Sequence, residues 1–232
     1  MTKSSSQNLL ILGGGIAGLS FAYFYNGNSI ILEKNKKIGG LSRSFKLNKI
    51  AYDIGPHIIF SKNEDILNLH KTLIKTNRIR RSNRVFHNNK FVKYPFENDL
   101  ASLPSQERDY CLTEFLNNPY EDYEPQNMLQ FFLKTFGEGI TRLYLQPYNE
   151  KIWKFDPSYM DTQMVERIPK PPKEDVIKSS KGIPTEGYTH QLNFHYPQSG
   201  GFQTLVDEYQ RQSKEKCKTH LGIRIKKIFK EK

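Results

Sequence analysis

The sequence predicts an α/β fold: a parallel-stranded domain interrupted by a mainly helical insertion. Three observations carry this. An apolar tetrapeptide, Leu9–Leu12, runs into Gly13-Gly14-Gly15-Ile16-Ala17-Gly18 and then into an apolar stretch, Leu19 to Tyr25, with the look of a helix. A second apolar run, Ser29-Ile30-Ile31-Leu32-Glu33, ends in an acid. Far along the chain, a helical stretch Gln203 to Lys214 precedes Thr219 to Phe229, whose alternating Leu221, Ile223, Ile225 and Ile228 read as a strand rejoining the same sheet.

Each part of the first unit has a mechanical reason. A short, wholly apolar run suits a parallel strand buried on both faces. Gly13 permits the tight turn, Gly15 lets backbone approach a pyrophosphate, and Gly18 lets helix and strand pack closely. The N–H groups at the helix start, carrying its partial positive charge, favour phosphate. Glu33, twenty positions after Gly13, is placed to accept ribose hydroxyls, and its charge repels a 2′-phosphate. Strand, glycines, helix, second strand and acid in this order predict a Rossmann-like dinucleotide site.

The chain has 232 residues, with 15 Phe, 13 Tyr and one Trp, enough apolar area for a core, so disorder throughout is excluded. Cys111 and Cys217 stand far apart without metal-ligand spacing, which argues against a disulfide scaffold or a zinc site and for a reducing compartment. The glycines within the apolar N-terminal stretch break any secretory leader, and no run is long enough to span a bilayer, so a cytoplasmic location is expected. The net charge of +11 favours an anionic partner, but the lysines and arginines are scattered. No basic helix with interleaved aromatics supports a nucleic-acid-binding module.

In the middle, Met128, Leu129, Phe132, Leu133 and Phe136 recur at helical spacing up to Gly137, and Ile140, Leu143 and Tyr144 continue on a second helix that should stop before Pro147. Most of these aromatics read as core. Trp153, just after that break, is a candidate pocket wall. Residues 169–184, with four prolines, predict an exposed loop.

Beyond these patterns, Glu33-Lys34 followed by Gly39-Gly40 resembles the second glycine pair of the FAD-dependent amine oxidase and protoporphyrinogen oxidase superfamily. The match departs at Leu41, where many amine oxidases have arginine; Arg43 is the candidate for that charge. Asp53-Ile54-Gly55-Pro56-His57-Ile58-Ile59-Phe60, Lys93-Tyr94-Pro95-Phe96-Glu97-Asn98, Tyr148-Asn149-Glu150-Lys151-Ile152-Trp153, Asp156-Pro157 and Arg167-Ile168-Pro169 resemble segments of UDP-galactopyranose mutases in the same order. Tyr196-Pro197-Gln198-Ser199-Gly200-Gly201 resembles a turn of protoporphyrinogen-oxidase-like flavoproteins.

The resemblance implies an FAD-binding Rossmann-like part in 1–60, an inserted, mainly helical substrate or cap domain in 61–195, and an incomplete return in 196–232, together covering the first half of such a protein. FAD would be held by Gly13, Gly15, Gly18, Glu33, Gly39, Gly40 and Arg43, with His57 and Trp153 as catalytic candidates by flavin and substrate. The implied activity is that of an FAD-dependent oxidoreductase on a small molecule, with a mutase acting on a nucleotide sugar as the alternative. A flavin-free, partner-binding remnant of the fold is the remaining reading.

Overall fold

A computed structural model describes residues 9–165, 168, 170–186 and 192–229. The chain folds as two compact units, Met1–Arg80 with Asn193–Lys232, and Arg81–Leu192. The resemblance places the insertion at 61–195. The first unit retains more of this stretch because α2 (Glu64–Leu73) packs on α7 (Gln203–Ser213), and β5 (Thr76–Arg80) pairs antiparallel with β8 (Asn193–Pro197).

In the first unit, β1 (Leu9–Leu12) leads through α1 (Ile16–Phe24) to β2 (Ser29–Glu33), and α7 leads to β9 (Cys217–Leu221). The three strands form a parallel sheet with β2 in the centre, Leu9 opposite Ser29 and Ser29 opposite Cys217. Helix α1 lies against α7, and Leu19, Ala22, Ile31, Leu205, Val206 and Tyr209 form the core of the unit. Lys216 donates from Nζ to the carbonyls of Tyr23 and Tyr25 at 2.6 and 2.8 Å, placing a cation at the C-terminal end of α1.

Two expectations need correction here. Leu10 and Leu12 are 53% and 46% exposed while Leu9 and Ile11, which point to the other face, are half-buried, so β1 is covered on one face rather than two. The last strand ends at Leu221, short of Phe229, because its partner β2 ends at Glu33 and Gly222 then turns away with φ +75°.

An antiparallel hairpin, β3 (Ser44–Leu47) with β4 (Ile50–Asp53), completes this unit.

The second unit begins with the hairpin of β6 (Arg84–His87) and β7 (Lys90–Lys93), turned by Asn88 and Asn89 in left-handed conformations. Helices α3 (Ser105–Leu116), α4 (Met128–Ile140), α5 (Gln146–Trp153) and α6 (Lys173–Ser180) follow. Val92, Phe96, Leu100, Cys111, Phe115, Phe132 and Ile140 are at most 1% exposed, each large apolar side chain among them contributing about 1.5–3 kcal/mol by burial.

Gly137 ends the first helical stretch of α4, as its sequence pattern predicts: it leaves helical geometry (φ 73°, ψ 174°), and a second helical stretch starts after it and runs into a π-helical turn, Thr141–Leu145. A Cβ on Gly137 would strike the Glu114 carbonyl oxygen, and one on Gly139 would lie 2.6 Å from the Cys111 Cα, so these glycines let α4 press against α3. Pro147 does not stop the second helix. It occupies the first turn of α5, where a missing N–H costs no hydrogen bond. Within 169–184, α6 replaces the expected loop: Pro172 precedes its first turn, and Val176 and Ser179 are buried, with Ser179 Oγ donating to the Glu97 carbonyl at 2.6 Å.

Candidate functional site

The glycine-rich turn between β1 and α1 leaves the helix start bare. No side chain caps α1, and its first turn holds no acid. By contrast, α2 is capped by Asn63 and carries Glu64 and Asp65 in its first turn. The leading N–H groups of α1 therefore point outward from an apolar turn and can serve an anion. A Cβ placed on Gly15 meets no atom within 4 Å, and its φ of −76° suits any residue. Nothing in the protein requires glycine there, so the space is left for something else. Gly18 differs: a Cβ there would strike the Gly13 carbonyl oxygen, so it serves helix–strand packing.

Glu33 ends β2 nearly buried, at 5% exposure. Oε2 accepts the Gly14 N–H at 2.7 Å, and Oε1 accepts the Asn35 backbone N–H at 2.8 Å and side-chain amide at 2.7 Å. Burial pushes its pKa up, but these hydrogen bonds outweigh burial and hold it below the ordinary value. Three of about four acceptor positions are filled by the chain itself. One acceptor position remains for a hydroxyl, fewer than the sequence pattern suggests.

The second glycine pair lies beside the first. Gly39 donates to the Gly14 carbonyl at 2.7 Å and bridges Gly15, and a Cβ on Gly40 would come within 3.3 Å of the Gly15 Cα. Arg43 donates from Nε to the Gly40 carbonyl at 2.9 Å, which ties its guanidinium to this turn. All seven residues predicted for nucleotide binding thus belong to one unit, with the glycines, Glu33 and Arg43 linked through backbone contacts.

His57 follows β4 in the same unit, its ring centroid 5.0 Å from that of Phe202. Trp153 belongs to the second unit, at the end of α5, where its Nε1 donates to Asn149 Oδ1 at 3.2 Å and the side chain is 43% exposed. Arg167 and Pro169, part of one resembling segment, lie outside the described residues.

Sequence patterns missed the polar cluster around Asp53. Its Oδ1 accepts from Ser44 Oγ at 2.5 Å and the Phe202 N–H at 3.0 Å, and its Oδ2 accepts the Tyr196 hydroxyl at 2.7 Å; Ser44 Oγ in turn accepts the Gln203 N–H at 2.9 Å. The available signal was the acid opening the Asp53-to-His57 segment. A cleft of about 530 Å³ opens beside Ser44, lined also by Lys37, Lys46, Gln203, Thr204 and Asp207; none of the predicted site residues lines it.

The bare helix start, the open space at Gly15, the acid closing β2 and the apposed glycine pairs define a dinucleotide-binding protein of the Rossmann type. Residues 11–73 match the NAD(P)-binding Rossmann-like domain. The flavin-containing amine oxidase of Oncorhynchus mykiss is 27% identical over 122 residues, covering 50% of this chain and 23% of its own length. Flavin-containing amine oxidase B of Canis lupus familiaris is 29% identical over 98 residues, 40% of this chain and 19% of its own.

Among solved structures, a reduced UDP-galactopyranose mutase superposes with a TM-score of 0.81 at 30% identity, covering 91% of this chain and 48% of the mutase. A candidate protoporphyrinogen oxidase from Exiguobacterium sp. 255-15 shares the fold, with a TM-score of 0.62 at 17% identity over 94% of this chain and 53% of that one. The chain resembles flavin-containing amine oxidases in sequence and a UDP-galactopyranose mutase in fold, and it spans about half the length of the solved structures it matches. Among the described residues no helix is long and apolar enough to cross a membrane.

Proposed function

We propose that the protein binds FAD and acts as a flavoenzyme, an oxidoreductase of the amine oxidase or protoporphyrinogen oxidase type on a small-molecule substrate. The observation that carries this is the open space over Gly15 beside the uncapped start of α1, a cradle that a side chain could fill without disturbing the fold. The leading N–H groups of α1 would hold the pyrophosphate, Glu33 would accept one ribose hydroxyl, and Gly39, Gly40 and Arg43 would flank the phosphates from the opposite side. When bound, the flavin supplies hydride chemistry that no side chain here could supply. The protein's own task is to hold and orient it, with His57 and Trp153 as the candidate residues by flavin and substrate. Cys111 and Cys217 are both buried free thiols, which supports a cytoplasmic setting.

A second reading is a UDP-galactopyranose mutase-like isomerase acting on a nucleotide sugar. The 30% identity over 91% of the chain to a solved mutase favours it. The test is the visible spectrum of the purified protein with and without added FAD, followed by substrate turnover. Two flavin bands shifted from those of free FAD are expected; a colourless protein that takes up no FAD overturns the reading. Substrate oxidation with reduction of an acceptor marks the oxidoreductase, whereas isomerisation that requires prior flavin reduction marks the mutase.

A further inference from the structure

Asp53 is saturated on one oxygen and half-engaged on the other. Oδ1 holds Ser44 Oγ and the Phe202 N–H, while Oδ2 holds the Tyr196 hydroxyl, and the side chain is only 6% exposed. Burial, together with the Asp53 carboxylate, pushes the Tyr196 phenol up to about 12, so it remains a donor at neutral pH. Four residues beyond Asp53, His57 places Nδ1 3.8 Å from the same Oδ2. That nitrogen is buried and has no hydrogen-bond partner, while the ring rests on Phe202, whose own N–H Asp53 holds. A buried ring nitrogen without a partner is costly, and the carboxylate oxygen that it faces at 3.8 Å, beyond hydrogen-bond length, favours a proton on it.

We propose that Asp53 is a positioning residue for His57: its immobilised Oδ2 selects the Nδ1–H tautomer and leaves Nε2 as a bare acceptor. A neutral imidazole donates from one nitrogen and accepts at the other, so an anion facing Nδ1 decides which face the ring offers. Ser44, Tyr196 and the Phe202 N–H fix the carboxylate, and the carboxylate in turn orients the ring. The inference deepens the reading of His57 as a candidate residue by flavin and substrate and rests on that reading only for its catalytic meaning.

The test is nitrogen-15 NMR of histidine-labelled protein without flavin, with the His57 signal assigned through His57→Gln. The expected result is an Nδ1–H tautomer for His57 that is lost in Asp53→Asn and restored in part by Asp53→Glu. Tyr196→Phe removes the competing donor on Oδ2 and should move the His57 Nδ1 signal while leaving that of His87 in place. This variant keeps the carboxylate and so carries the test if Asp53→Asn fails to fold. An Nε2–H tautomer in the parent protein, or a His57 signal unmoved by Tyr196→Phe, overturns the proposal. Because the tautomer is read without flavin, failure of FAD to bind would sink the functional reading and leave this result standing.

Discussion

The carboxylate of Glu33 accepts the N–H of Gly14 across 19 positions of sequence, at 2.7 Å. The acid that ends β2 therefore fastens the glycine turn at the end of β1, and its hydrogen bonds with Asn35 fix its own orientation. A residue that reads in sequence as a ligand contact is also a structural tie. Glu33→Ala strands these donors and should cost about 1–3 kcal/mol, together with at least a tenfold loss of FAD affinity. Urea unfolding and a flavin titration measure the two effects, and unchanged stability would remove the structural role. Since Glu33 lies below its ordinary pKa, its contribution is present at neutral pH and is lost as the pH falls below 4.5.

Gly15 and Gly18 should separate binding from folding. A side chain at 15 enters open space with an ordinary φ, whereas one at 18 meets the Gly13 carbonyl. Gly15→Val is expected to unfold within about 0.5 kcal/mol of the parent while FAD binding weakens at least 100-fold. Gly18→Val should lose stability first. Calorimetry and flavin fluorescence on both variants decide this, and normal FAD binding by Gly15→Val would remove that glycine from the site.

Glu97 makes the second unit sensitive to pH. Burial raises its pKa from 4.5 to about 7. Between these values the folded state keeps a proton that the unfolded state has released, so stability falls as pH rises from 4.5 to about 7, by about 3 kcal/mol in all. Trp153, the sole tryptophan, lies in this unit and reports on its unfolding. Denaturation followed by Trp153 fluorescence at pH 5 and pH 7.5 should show the loss in the parent and a flat response in Glu97→Gln; equal slopes for the two would refute the assignment.

Gly137 holds φ 73° where α4 meets α3, with the Glu114 carbonyl occupying the place of a side chain. Gly137→Ala combines left-handed strain with a backbone clash and should cost about 1–3 kcal/mol or more. A thermal midpoint equal to the parent's would show that the kink relaxes freely.

By itself, the sequence determined the strand–turn–helix at Leu9–Phe24, the acid closing β2 and helix α7 to within one residue of its end, because each rests on local pattern: apolar runs, glycines at fixed offsets and a 3.6-residue period. It also carried the resemblance to flavin-dependent amine oxidases and UDP-galactopyranose mutases. Only the tertiary structure decided features set by distant partners. The π-helical stretch after Ile140 and helix α6 within a proline-rich segment depend on packing inside the second unit, with Ser179 bonded to Glu97, 82 positions away. The strand β9 stops where β2 runs out of residues to pair. Asp53 becomes a buried anchor only because Tyr196 and Phe202, more than 140 positions later, arrive to donate to it. No local period encodes such pairings: the energy of a buried hydrogen bond depends on which distant groups the fold brings within 3 Å.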